Sequence, residues 1–260
     1  LRVELSGPHG AFSVSDKRTG RIWRQVPEEH AVTVTNVRQT ANMILFDAEA
    51  KGVKGSLFGE LTLVGASVRA RIDGAADLPF EVGDDNLVGW PCPFATEKGD
   101  RTLMPHGSGF SFPAEQTDMG EGFRWRMHGY SRAMRMGMWG QYREKIAAEG
   151  ELLGAGGCLS IVETPCNSVG FYLKRENGLM AFSLLWENDM RTWGHARVVR
   201  YEFLTDGNPM DMAVRYREEM KRKGYYRTFP EKMRERPAMA ARYAALAGAP
   251  NVWFWEQDDN

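Results

Sequence analysis

Alternation of apolar and polar residues with a period of two runs through the first four-fifths of the chain. In AFSVSDKRTGRIWR, Phe12 and Val14 alternate with polar residues, and Ile22 resumes the pattern after Asp16-Lys17-Arg18-Thr19-Gly20. Two strands joined by a tight turn give that signature. AVTVTNV, SVRARID and RVVRYEF alternate in the same way. MILFDAEA, GCLSIVET, VGFYLKRE and LMAFSLLW have strand length, are rich in β-branched or aromatic residues, and are bounded by Gly, Pro, Asn or Asp. About a dozen short strands at this spacing predict a large antiparallel sandwich over residues 1–204. No helical period and no internal repeat stand out before residue 205.

After Leu204 the period lengthens. TDGNPMDMAVRYREEMKRKG has an Asp or Asn start signal, Pro209 near the first turn, and Met212, Ala213, Tyr216 and Met220 close to helical spacing, with Gly224 as the stop. FPEKMRER and AMAARYAALAG, the latter closed by Gly248, predict two shorter helices, so residues 205–247 read as a helical connector. Val252 to Trp255 then form an apolar run of the kind found in strands buried on both faces.

Two stretches break the alternation. Asp84 to Pro113 carries four Gly and four Pro among aromatics. It reads as a packed surface loop laid against a partner surface rather than as regular strands. Arg124 to Tyr142 interleaves arginine with methionine and aromatic residues, as strand faces packing on a neighbour do.

Charge narrows the classes of partner. Lys plus Arg is 33 against 34 for Asp plus Glu, a net charge of −1. Nucleic-acid binding needs clustered positive excess, so it is not expected. No apolar run approaches the roughly 20 residues of a membrane helix, so no membrane partner is expected either. Cys92, Cys158 and Cys166 show no CxxC spacing and read as small buried residues, with a Cys158–Cys166 hairpin disulfide as the alternative. No histidine stands at ligand spacing from a cysteine, so neither a metal nor another cofactor is expected. The first residue is Leu1 rather than methionine, which we read as a processed or trimmed start. A secreted or periplasmic location is open, as is a cytoplasmic one.

Several stretches together resemble the region before the catalytic barrel in glycoside hydrolases of the endo-α-N-acetylgalactosaminidase kind. FSVSDKRTGRIW, Phe12 to Trp23, is similar to their opening hairpin, and GWPCPF followed by LMPHGSGFSFP to their proline-rich loop. AVRYREEMKRKGYYRTFPEKMRERP resembles their connector helix and GAPNVWFWE their first barrel strand. The resemblance implies a mainly β chain: a galactose-mutarotase-like antiparallel β-supersandwich (residues 1–204), the helical connector (205–247) and the first strand of a (β/α)8 barrel (248–260). It implies carbohydrate of the galactoside or N-acetylhexosaminide class as ligand and a downstream barrel of the same polypeptide as partner. Glycoside hydrolysis needs two carboxylates, which in such families stand on later barrel strands, so no catalytic residue is assigned here. Trp90, His106, Trp139 and Glu256 are the candidate substrate-binding residues. Tryptophan faces stack on sugars, the Asp84–Pro113 loop can reach a barrel mouth, and Glu256 just follows the barrel strand. Trp186 and Trp193, flanking ENDMRT, share the choice between core and sugar platform.

Two alternatives stay open. Aldose epimerases use a histidine and a carboxylate on such a sandwich, which draws attention to His106 or His128 with Glu163 or Glu187. The other alternative is a stand-alone carbohydrate-binding module.

Overall fold

The Asp16–Gly20 turn closes a hairpin as the alternation predicts, with the Gly20 N–H donating to the Asp16 carbonyl at 2.8 Å. It joins β2 (Ala11–Asp16) to β3 (Arg21–Arg24), and β1 (Arg2–Ser6) pairs with the other edge of β2 to complete a three-stranded sheet. The computed structural model describes residues 1–83, 86–104, 110–115, 124–126, 137–146, 152–176 and 178–246. The chain is mainly antiparallel β.

A nine-stranded open sheet is the largest element. It is built from β4 (Thr33–Gln39), β5 (Met43–Glu49), β6 (Leu57–Val64), β7 (Ser67–Asp73), β8 (Asp100–Met104), β9 (Phe110–Pro113), β11 (Met138–Ile146), β12 (Leu152–Val162) and β15 (Arg197–Leu204). Their spatial order is β4-β5-β6-β7-β15-β12-β11-β8-β9, so β15 returns from the end of the β run to the centre. A second three-stranded sheet has the order β10-β13-β14, from β10 (Arg124–Arg126), β13 (Ser168–Glu176) and β14 (Leu179–Trp186).

Period-two alternation sets which face is buried. Val68, Ala70 and Ile72 on β7 and Val199, Tyr201 and Phe203 on β15 point into one continuous core. Phe12 and Trp23 from the first small sheet and Phe182, Leu184 and Trp186 from the second point into the same core. Aromatic edges lock the layers: Phe12 lies 5.9 Å from Tyr201, Trp23 lies 5.9 Å from Phe203, and Trp139 lies 6.1 Å from Phe182. Each such pair adds about 1 kcal/mol beyond its burial.

Three sequence expectations are corrected. The Asp84–Pro113 segment is not a surface loop: Leu87, Val88, Trp90, Cys92 and Phe94 are core residues, and its second half forms β8 and β9. Prolines 91 and 93 deny this stretch donors for a regular ladder, which gives it loop-like composition. Its main chain nevertheless bonds Arg24, Val26 and His30 on one side and Trp186 on the other. Cys166 is exposed rather than buried, and none of the three cysteines is in a disulfide. β1 and β6 went unrecognised.

The chain divides into two compact units, Leu1–Ala213 and Val214–Asn260. Helix α1 (Pro209–Arg222) starts where Asn208 Oδ1 accepts the Asp211 N–H at 2.8 Å. It stops at Gly224, whose φ of 74° favours glycine. α2 (Phe229–Glu235) opens with a reciprocal capping box: the Thr228 N–H donates to Glu231 Oε2 at 2.6 Å and the Glu231 N–H to Thr228 Oγ1 at 3.4 Å. α3 (Pro237–Leu246) follows, with Phe229 and Tyr243 in edge contact at 5.6 Å. The strand expected at Val252–Trp255 lies outside the described residues.

Candidate functional site

The structure places the sequence-derived candidates in three different settings. Trp90 is fully buried, its indole N–H donating to the Gly10 carbonyl at 2.9 Å and its ring edge-on to Phe46 at 5.3 Å. Its own carbonyl accepts from Trp186 Nε1 at 2.7 Å. Trp139 sits on the core face of β11 against Phe182 and Tyr201. Within this chain both rings pack protein on their faces, so they act here as core. His106, His128 and Glu256 lie outside the described residues.

Of the two carboxylates weighed with a histidine, Glu163 is held between arginines. Its Oε2 lies 2.8 Å from Arg69 and its Oε1 3.4 Å from Arg200, which also pairs with Glu202 at 3.0 Å. Glu187 contributes its backbone: its N–H donates to the Asn167 carbonyl, and its carbonyl accepts from Arg197. The structure brings neither carboxylate to a described histidine.

It does bring together a histidine and an aspartate that sequence reasoning missed. In the loop between β14 and β15, Asp189 and Thr192 exchange main-chain hydrogen bonds at 2.8 and 2.9 Å, closing a two-residue turn. Met190 and Arg191 occupy its centre with φ of 52° and 71°, a left-handed conformation that costs about 1 kcal/mol or more per non-glycine residue. The turn projects Met190, 80 % exposed, into solvent.

Arg197, at the start of β15, fixes the base of this loop. It is almost wholly buried and donates to the carbonyls of His195 at 3.0 Å, Glu187 at 3.2 Å and Trp193 at 2.9 Å. Its guanidinium lies 5.0 Å from the Trp193 ring centre and 5.9 Å from that of Trp186. Burial pushes its pKa down to about 10, against the pull of Asp189, Cys166 and Asp73, so it remains a cation at neutral pH. Trp186 and Trp193 are therefore core walls around a buried cation.

This framework sets His195 Nδ1 3.7 Å from Asp189 Oδ2, with both side chains about one-third open to solvent. Burial, followed by the positive charge of Arg197, lowers the imidazole pKa below its ordinary value, while Asp189 and the Cys166 backbone oppose them. The neutral form therefore dominates at pH 7. A neutral imidazole beside a carboxylate can accept a proton or bond a hydroxyl. Among the described residues no group of three or more His, Cys, Asp or Glu side chains could hold a metal ion. The sequence carried one cue to this pair, the closeness of Asp189 and His195 in a segment that contains Gly194, and Met-Arg at the turn centre obscured it.

No protein-family model matches the chain, and no curated protein sequence matches it. Solved structures do resemble it. The α-N-acetylgalactosaminidase NagBb of Bifidobacterium bifidum, as a quadruple mutant, superposes with a TM-score of 0.65 at 17 % identity, over 92 % of this chain and 40 % of that one. Its complexes with GalNAc (TM-score 0.64, 17 % identity) and with Gal-NHAc-DNJ (0.64, 18 %) give the same coverage of both chains. At this identity the likeness establishes the fold, which is that of a β-rich portion of a glycoside hydrolase. The chain spans about two-fifths of the length of the structures it matches.

Proposed function

We propose that this chain is the non-catalytic β-supersandwich portion of a carbohydrate-active glycoside hydrolase, supporting and lining the mouth of a (β/α)8 barrel that carries the catalytic carboxylates. The observation that carries this reading is the coverage: a fold match over 92 % of this chain takes in 40 % of an α-N-acetylgalactosaminidase. Two further features support it. The charged groups of the described sheet face are committed to one another, Arg69, Glu163, Arg200 and Glu202 forming one ion-paired row. The tryptophans best suited to stack a sugar are used as core. The substrate class under this reading is an α-linked N-acetylgalactosaminide or galactoside. The residue limits 1–204, 205–247 and 248–260 belong to the same proposal as sandwich, connector and first barrel strand.

One observation favours a second reading, an aldose epimerase. His195 and Asp189 are a histidine–carboxylate pair of the kind that opens a sugar hemiacetal by moving protons. Polarimetry of fresh α-D-galactose and N-acetyl-α-D-galactosamine separates the two. The isolated chain is expected to leave the rate of mutarotation at the buffer value. Acceleration that His195→Asn abolishes would transfer the activity to the β domain and overturn the proposal. Saturable sugar binding without turnover, measured by titration calorimetry, would instead mark a carbohydrate-binding module.

A further inference from the structure

β1 is an edge strand of the first small sheet. Among the described residues it hydrogen-bonds to β2 alone, in unbroken register from Arg2↔Ser15 to Ser6↔Ala11. Its strand, RVELS, contains no proline and no bulge, two of the devices by which proteins blunt a free edge, and its charges, Arg2 and Glu4, admit only an edge that matches them. A groove of about 580 Å³ runs beside it, walled opposite by Val37, Gln39, Asn42, Met43 and Leu63. Val37 on that rim is about half exposed.

The strand's two faces differ. Leu1, Val3 and Leu5 pack partly against the core, whereas Arg2 and Glu4 point outward, 70 % and 52 % exposed, and pair with each other at 2.5 Å. In an antiparallel pair, residues directly opposite share a face, so the strand can be laid beside a copy of itself and each register inspected. Centred on Val3, Arg2 faces the partner's Glu4 and Glu4 the partner's Arg2, while Leu1 and Leu5 face each other on the apolar side. Centred on Glu4, two carboxylates oppose. Centred on Leu5, neither charge has an opposite charge across from it. One register matches apolar with apolar and cation with anion throughout.

We propose that β1 is the pairing edge of a symmetric dimer, in which a second copy's β1 lies antiparallel to it about Val3 and joins the two three-stranded sheets into one of six strands. A two-fold interface requires self-complementarity, which this strand has in its charges and in its apolar face. The occupant of the edge is thus a second copy of this chain.

The test is sedimentation equilibrium of the 260-residue chain and its charge variants. The unaltered chain is expected to dimerise. Arg2→Glu opposes carboxylates twice and Glu4→Arg opposes guanidinium groups twice, so each is expected to weaken dimerisation about tenfold or more. The double exchange, Arg2→Glu with Glu4→Arg, restores the dimer. Mixing the two single variants in equal amounts restores it as a heterodimer, since an acidic edge then meets a basic one. Both positions are exposed, so unchanged melting temperatures are expected to show that folding is intact. A monomeric unaltered chain overturns the proposal. So does an association that is indifferent to both single variants, which would assign it to another surface.

Discussion

Asp16 shows how one residue ties a local turn to the sheet beneath it. Its carboxylate accepts from the Arg18 N–H at 3.0 Å and from the Arg18 side chain at 2.8 and 2.6 Å, and Arg18 reaches on to the Phe203 carbonyl at 2.7 Å. The carboxylate itself is buried, so losing these bonds is costly. Asp16→Asn is expected to cost about 1–3 kcal/mol at pH 7. The Arg18 hydrogen bonds hold the Asp16 pKa below the ordinary carboxylate range, with burial opposing them. A carboxyl with a depressed folded pKa stabilises the fold above its unfolded pKa, and that contribution is lost as pH falls through the folded value. The melting-temperature gap between the unaltered chain and Asp16→Asn should therefore be widest near pH 7 and narrow toward about pH 3. A gap independent of pH would show that the charge contributes nothing. The turn itself was legible from DKRTG, because turn chemistry is local. Arg197 was not: rules of burial put arginine outside, and only the folded loop supplies the three carbonyls that allow it inside.

At the scale of elements, the first turn of α1 anchors on the nine-stranded sheet through one side chain. Met212 is fully buried, while Tyr216 and Met220, expected on the same face, are half-buried. Room for Met212 exists because Gly140 and Gly157 lie under it: a Cβ at Gly157 would come within 2.6 Å of Met212 Cε and 2.7 Å of Gly207 Cα. Met212→Ala should destabilise the chain by about 2–4 kcal/mol in denaturant unfolding, whereas Val214→Ala, two residues on and exposed, should change stability by less than about 0.5 kcal/mol. Equal effects would place the anchor elsewhere. The helices α1 to α3 were readable because caps, stops and periodicity all lie within them. β8 and β9 were not, because Gly and Pro around them signalled a loop and the partner of β8 on its other side, β11, lies far along the chain.

At the scale of the molecule, the fifteen strands among the described residues fold around one core to which their three sheets contribute, and β15 closes it by returning to the middle of the large sheet. Alternation alone forecast that β-rich class, but not which surface carries function. The sequence singled out tryptophans for sugar stacking. The fold buries them in the core to which its sheets contribute. Among the described residues, Asp189 and His195 stand 3.7 Å apart beside a strained turn, a pair that can move protons, whereas glycoside cleavage needs two carboxylates. The central claim is that hydrolysis belongs to the barrel and not to this domain. It is tested most directly by the rate at which an aryl α-N-acetylgalactosaminide is cleaved, measured side by side for the 260-residue chain and for a polypeptide in which the barrel follows it. The account predicts turnover by the longer polypeptide and only the buffer rate for the 260 residues. Turnover by the short chain, lost in His195→Asn, would contradict it.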